Sequence, residues 1–170
     1  NLAKLDNLIK FLGIEKSIIR RIYVMFEPDS RRAGRLADIF HLNKEQKDYL
    51  LALSNAKLTL RNFKDSVSIN KAIYQYGKEI CKDKWLCLNL DNEDKETVRQ
   101  TLNTLDSVIT PIFPLNGKDF IKIGADTKFI GLYLDVLKKE WFESGCCSSK
   151  DELLLKYQEI FNDYESSLII

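Results

Sequence analysis

The chain has very few of the residues from which metal and redox sites are built. Its 170 residues include one His, one Met and four Cys, and no two cysteines have Cys-x-x-Cys spacing. A zinc site of the usual kind needs about four such ligands in paired spacing, so we expect no metal site. The cysteines are expected to be free thiols in a reducing cytoplasm.

Long apolar segments are also missing. No run of about 18 apolar residues occurs, which excludes a membrane-spanning helix and predicts no membrane partner. The first residues combine charged and apolar side chains without a following apolar core, which is not typical of a signal peptide. We therefore expect a cytoplasmic protein. The chain begins with Asn1 rather than Met, which predicts a piece of a longer polypeptide, cloned as a fragment or encoded as a separate half.

Catalytic patterns are lacking as well. There is no phosphate-binding Gly-x-x-x-x-Gly-Lys segment, and Ser, His and carboxylate residues show no triad-like grouping. The sequence predicts no catalytic residue and no cofactor of its own in this chain.

Helical periodicity dominates what is present. Apolar residues recur every three to four positions, and no useful strand alternation occurs. Gly13 follows an amphipathic segment as a helix stop, and Asn43 with Gln46 has the spacing of a capping box. These signals predict an all-α fold, an elongated multi-helix domain of short antiparallel helices.

Charge is distributed unevenly along the chain. Residues 1–85 carry 17 Lys and Arg against 10 Asp and Glu, whereas residues 86–170 carry 9 against 15, and the net charge is +1. A basic half is compatible with a surface that faces nucleic acid. It is also compatible with no particular partner, because folded surfaces are often lopsided in charge.

The densest group of cations lies near the start of the chain: Arg20, Arg21, Arg31, Arg32 and Arg35. Arg31 and Arg35 are four residues apart, so they share one face of a helix and can straddle a backbone phosphate. The alternative is a solvated helix face whose charge is balanced by neighbouring acids. Those acids are Glu27, Asp29 and Asp38.

Residues 113–134 predict a tight helical hairpin near residues 114–141. Gly117 and Gly124 flank one short apolar helix, and a second helix opens near Asp126. Exposed amides at that second helix start can hold an anion such as an RNA phosphate. Three lysines surround the spot: Lys118, Lys122 and Lys128. A purely structural hairpin with solvated lysines stays open as the alternative.

Three stretches resemble one family in order and spacing, over about residues 15–160. They are Pro114–Phe120 followed by Gly124 and Ile130–Leu134, then Arg35–Leu50, and Ile73–Gly77 with Trp85–Leu88. Together they resemble the helical region that follows the catalytic head of bacterial-type tRNA nucleotidyltransferases. This family contains the CCA-adding enzymes and their poly(A) polymerase relatives. The resemblance implies a helical neck and body over residues 1–112 and a hairpin and tail over residues 113–170, with one continuous α domain as the alternative.

The chain departs from that family in two ways. Asp126-Thr127-Lys128 stands where the family has Pro-Gly-Pro, and Glu93-Asp94 is not followed by the Arg of a nucleotide-reading motif. The Gly-Ser and Asp-x-Asp motifs of the catalytic head are absent from the chain. In the family those carboxylates hold two magnesium ions for nucleotidyl transfer. The resemblance therefore implies that this chain is inactive alone, and that Mg²⁺ and nucleoside triphosphates belong to a separate or covalently linked head.

The function that these features predict is tRNA binding, which positions the acceptor and T arms for 3′-end addition by the head. The predicted phosphate-binding residues are Arg31, Arg32, Arg35, Lys118, Lys122 and Lys128. Two alternatives remain open. One is a helical protein-interaction scaffold that docks a partner through Trp141 and Phe142, without RNA binding. The other is a poly(A)-tailing relative that binds generic RNA 3′ ends.

Overall fold

The computed structural model describes residues 1–167, and the side chains of residues 1–161. Ten α-helices follow one another: α1 (Leu2–Leu12), α2 (Ile18–Phe26), α3 (Ser30–Ile39), α4 (Lys44–Asn55), α5 (Ser66–Tyr76), α6 (Lys78–Leu88), α7 (Lys95–Ser107), α8 (Gly117–Lys122), α9 (Ile130–Glu143) and α10 (Lys150–Ser167). Short 3₁₀ helices span Leu60–Phe63 and Thr127–Phe129. Residues 1–167 contain no strand, so the all-α prediction is confirmed. None of these helices is long and apolar enough to cross a membrane.

The chain forms two compact units. The N-terminal unit spans Asn1–Thr110 and contains α1 to α7, and the C-terminal unit spans Pro111–Ile170 and contains α8 to α10.

Local sequence signals set the helix ends of the N-terminal unit. Gly13 ends α1 in the left-handed conformation (φ 70°), which a residue without Cβ adopts at little cost. At the start of α4, the Asn43 side chain accepts a hydrogen bond from the Gln46 amide, and the Gln46 side chain accepts one from the Asn43 amide. The predicted capping box is therefore confirmed, and it supplies partners for two amides that the helix itself leaves free.

The core of the N-terminal unit brings together the apolar faces of its helices. Leu50 and Leu53 from α4 and Leu105 from α7 are fully buried. Trp85 of α6 packs against Phe63 with ring centroids 5.1 Å apart, and its indole nitrogen donates to the Val98 carbonyl at 3.1 Å. Because the ring nitrogen has a partner, this Trp can be buried without an unsatisfied donor.

Helices α3 and α4 form an antiparallel pair, and two polar contacts mark its ends. Ser30 at the start of α3 bonds to Asn55 at the end of α4 (Oγ to Oδ1, 2.5 Å). Asp38 near the end of α3 pairs with Lys47 in the first half of α4 (2.9 Å). Residues early in α3 therefore lie beside the end of α4.

A buried ion pair connects α2 to α6 inside the N-terminal unit. The guanidinium of Arg20 donates to the Asp83 carboxylate through Nε (2.9 Å) and Nη2 (2.8 Å), and both side chains are about nine-tenths buried. The Tyr49 hydroxyl of α4 donates to the second Asp83 oxygen at 3.0 Å. Burial, with the nearby Asp83 charge as the next cause, raises the pKa of Tyr49. Three helices thus meet on one carboxylate.

The C-terminal unit is held by aromatic side chains and by one carboxylate. Phe120 of α8 packs edge-on against Tyr157 of α10, with ring centroids 5.3 Å apart, and Tyr133 of α9 lies 4.9 Å from the same Tyr157 ring. A Cβ on Gly117 would meet the Ile130 side chain at 3.4 Å, so α8 and α9 approach closely there. These contacts confirm the predicted hairpin within the described residues.

Asp119 ties the start of this hairpin to α10. One carboxylate oxygen accepts from the Asn116 amide (2.9 Å) and the other from the Lys150 ammonium (2.5 Å). The hydrogen bond from Lys150, followed by that from Asn116, lowers the pKa of Asp119 below its ordinary value of 3.8. The ionised carboxylate therefore stabilises the fold above the unfolded-state pKa, and this contribution is lost as the pH falls through the lower folded-state pKa.

We expect an Asp119→Asn variant to be less stable than the wild type at neutral pH, and to lose less stability than the wild type below about pH 4. Trp141 lies in the C-terminal unit, so its fluorescence in a Trp85→Phe background reports thermal unfolding of that unit. Identical pH profiles for the two proteins would contradict the stabilising role of the Asp119 charge. Glu140→Gln, which removes the exposed pairing partner of Lys156, is the matched control.

Candidate nucleic-acid interface

The three predicted arginines lie on the exposed side of α3. The Asp29 carboxylate caps this helix by accepting from the Arg32 amide at 2.8 Å, and Ala33 and Ala37 are buried against the rest of the unit. This leaves Arg31, Arg32 and Arg35 exposed. Small residues on the packed face bring the helix close to its neighbour, and the long cationic side chains extend into solvent.

The acids that were expected to balance these arginines have other partners. Asp38 forms its ion pair with Lys47, and the Asp29 carboxylate bonds to a backbone amide. Glu27 accepts from the Asn1 side chain at 3.3 Å. Within residues 1–161 no carboxylate oxygen lies within 4.0 Å of the guanidinium of Arg31, Arg32 or Arg35. Their charges are therefore available to an external anion.

The structure separates the rest of the cationic cluster from these three. Arg20 is buried in its pair with Asp83, and Arg21 lies 3.4 Å from Asp6. Neither guanidinium belongs to the exposed surface of α3. Sequence proximity grouped five arginines, whereas folding exposes three of them together.

The predicted lysines of the hairpin are all exposed. Lys118 and Lys122 are four residues apart on α8, so they share one helix face, and Lys128 lies in the 3₁₀ turn before α9. Exposed apolar side chains accompany them, among which Phe129 is 46% and Leu132 54% exposed. The six candidate residues thus form two sets, one in each unit.

Some of the backbone amides predicted to hold an anion at this hairpin have partners within the chain. The Asp126 carboxylate accepts from the Lys128 amide at 2.9 Å, and the Asn116 side chain accepts from the Lys118 amide at 3.0 Å. Both of these amides therefore have side-chain partners within the chain, and an incoming phosphate at the 3₁₀ turn would meet the Asp126 charge. The second helix of the hairpin, α9, begins after Phe129 without a side-chain cap, so the predicted anion site stays a prediction there.

The scaffold interpretation predicted that Trp141 and Phe142 dock a partner, and for Trp141 this prediction is wrong. Trp141 is only 2% exposed, and Phe113 packs edge-on against it at 5.5 Å. Phe142 is half-buried. A side chain that completes its own core cannot anchor a partner without local unfolding.

Lys57 and Arg61 were missed by the sequence interpretation. Both are exposed on the segment after α4, whose last residue, Asn55, bonds to Ser30 at the start of α3. The sequence does contain a signal for them, because no acidic residue occurs from Tyr49 to Lys64. However, how close they lie to the α3 arginines depends on the antiparallel packing of α3 and α4.

Within the described residues, no three His, Cys, Asp or Glu side chains lie together as a metal site would require. The four cysteines, all within the described residues, form no disulfide, and burial raises the pKa of both Cys81 and Cys87 to about 12. A raised thiol pKa disfavours the reactive thiolate at neutral pH.

No protein-family model, curated protein or solved structure matches this chain.

Proposed function

We propose that this chain is an RNA-binding helical module, and that its ligand is the backbone of tRNA held for 3′-end nucleotide addition by a catalytic head, either separate or covalently linked. The observation that carries the proposal is the exposed face of α3. Arg31, Arg32 and Arg35 project from one helix, and their charges are not neutralised by acids within the described residues.

This arrangement suits phosphate recognition. Guanidinium groups present several N–H donors in one plane, which matches the paired oxygens of a phosphate. Double-stranded RNA hides its base edges in a deep, narrow groove, so proteins recognise it chiefly by shape and by contacts to phosphates and 2′-hydroxyls. A rigid helix that carries spaced cations can hold a duplex arm without reading its sequence.

The proposed contribution of this chain is positioning. Its residues bind and orient the tRNA, while nucleotidyl transfer, with its Mg²⁺ and nucleoside triphosphate, belongs to the head. The resemblance of residues 15–160 to the tRNA nucleotidyltransferases supports the choice of tRNA among structured RNAs.

The proposal is tested by titrating the chain with tRNA and with an unstructured RNA of equal length, at about 50 and 200 mM salt, by fluorescence anisotropy. The three arginines of α3 alone would contribute a slope of about 2.1–2.7 to log K against log salt, so tRNA affinity should fall at least about 20-fold between these conditions, and further with each additional phosphate contact. We expect weaker binding of the unstructured RNA.

Other results would redirect or overturn the assignment. Equal affinity for both RNAs would contradict tRNA positioning and favour the generic 3′-end binding of a poly(A)-tailing relative. Absence of binding to either RNA would contradict the RNA-binding module.

A further inference from the structure

A second set of cations borders the arginine face of α3. Lys57 and Arg61 are exposed, and the whole stretch from residue 49 to residue 64 lacks acidic side chains. Residues 30–37 of α3 lack them as well. Each of these two segments therefore carries only positive charges, with acids at its borders: Asp29 and Asp38, and Asp48 and Asp65.

The fold brings the start of α3 to the end of α4, two residues before Lys57. Ser30 bonds directly to Asn55, Arg31 is the residue after Ser30, and Lys57 is two residues after Asn55. Since consecutive Cα atoms are about 3.8 Å apart, the Cα atoms of Arg31 and Lys57 lie at most about 20 Å from each other. Both side chains add several ångströms of reach, so they can contact phosphates of the same nucleic-acid segment.

The charges of Lys57 and Arg61 are not neutralised within residues 1–161, where neither has a carboxylate oxygen within 4.0 Å. The nearest acid in sequence, Asp65, caps α5 by accepting from the Ser68 amide at 2.7 Å and lies 3.8 Å from Lys64. That hydrogen bond lowers the pKa of Asp65. The ionised Asp65 carboxylate therefore already has partners within the chain.

The chemistry of the surface favours phosphates over bases. Phe63, an aromatic residue of this stretch, is 5% exposed and packs on Trp85. The other aromatic residue, Tyr49, is half-buried and uses its hydroxyl on Asp83. Base-stacking surfaces need exposed rings, whereas this surface offers cationic groups on flexible stems.

We propose that Lys57 and Arg61 extend the arginine face of α3 into one continuous phosphate-binding surface, which we call the α3–α4 basic end. It comprises Arg31, Arg32, Arg35, Lys57 and Arg61. This inference rests on the proposed function, because its ligand is the same RNA backbone. It adds two binding residues and places the centre of the site at the Ser30–Asn55 end of the helix pair.

The test compares Lys57→Gln and Arg61→Gln with Lys44→Gln in the full chain, by tRNA titration over a range of salt concentrations. Lys44 lies at the opposite end of α4 from Lys57, near the Asp38–Lys47 pair, and it is also exposed. Each variant loses one positive charge. Each basic-end variant should lower the slope of log K against log salt by about 0.7–0.9, which corresponds to one lost phosphate contact. Lys44→Gln should keep the wild-type slope.

The outcomes separate this inference from the proposed function. If wild type binds tRNA but Lys57→Gln and Arg61→Gln both match Lys44→Gln, the extension is overturned while RNA binding stands. If wild type does not bind RNA, the proposed function fails and this inference fails with it. Tighter binding to phosphatidylserine vesicles than to tRNA would overturn RNA as the occupant. Far-ultraviolet circular dichroism of each variant checks that the helices are retained.

Discussion

Replacing Asp83 with alanine is expected to destabilise the N-terminal unit by about 3–5 kcal/mol, because a buried charge loses its partner. Asp83 accepts two hydrogen bonds from the Arg20 guanidinium and one from the Tyr49 hydroxyl. Its removal leaves a buried cation that retains only its bond to the Glu15 carbonyl at 3.2 Å. Chemical denaturation followed by Trp85 fluorescence in a Trp141→Phe background measures the change.

A matched control distinguishes the energetic effect of burial from that of losing an ion pair. Asp38 also pairs with a cation, but its side chain is 73% exposed, whereas that of Asp83 is 9% exposed. Asp38→Ala should cost less than about 1 kcal/mol, because solvent screens exposed pairs. Replacing both members of the buried pair, as in Arg20→Met with Asp83→Leu, should cost less than Asp83→Ala alone. Similar costs for Asp83→Ala and Asp38→Ala would contradict this account of the core.

Reversing two arginines of α3, Arg32→Glu with Arg35→Glu, is expected to weaken tRNA binding by on the order of a hundredfold. Hydrogen bonds to charged groups are worth about 1.5 kcal/mol or more each, and the new carboxylates add repulsion. The slope of log K against log salt should fall by about 1.4–1.8, because two phosphate contacts are lost. Anisotropy titrations at several salt concentrations measure both quantities.

The same net change of charge elsewhere serves as the control. Lys10 and Lys44 are exposed on α1 and α4 and do not belong to the basic end. Lys10→Glu with Lys44→Glu should leave the salt slope close to that of the wild type. Folding should survive the arginine reversals, since Arg32 lies in the first turn of α3, where an acid is favourable to the helix dipole, and Arg35 is exposed to solvent. An unchanged slope and affinity in Arg32→Glu with Arg35→Glu would contradict the assignment of α3 to the RNA surface.

The helices were largely predictable because their signals are local. The capping box of Asn43 and Gln46 and the left-handed end at Gly13 depend on residues within one or two turns. The capping of the hairpin by Asp126 is equally local, since an Asp side chain two residues before an amide is a common cap. The sequence alone therefore indicates a carboxylate beside the turn at which the lysines favour an external anion.

The candidate site was only partly predictable. Arg31 and Arg35 share a helix face in any α-helix. Whether their charges are neutralised depends on where the acids find partners, and Asp38 pairs with Lys47 on another helix. Likewise, Lys57 is brought to the arginines only by the antiparallel packing of α3 on α4.

The sequence by itself determined the all-α class, the main helix boundaries and the exposed positions of α3, because apolar periodicity and capping act over a few residues. The tertiary structure decided which charges remain available to a ligand. Arg20 pairs with Asp83, which is 63 positions away in sequence, and Lys150 pairs with Asp119, which is 31 positions away. The arginines of α3 have no such partner within the described residues. Ion pairing depends on distances between helices, and those distances are set by packing of the core rather than by neighbours in sequence.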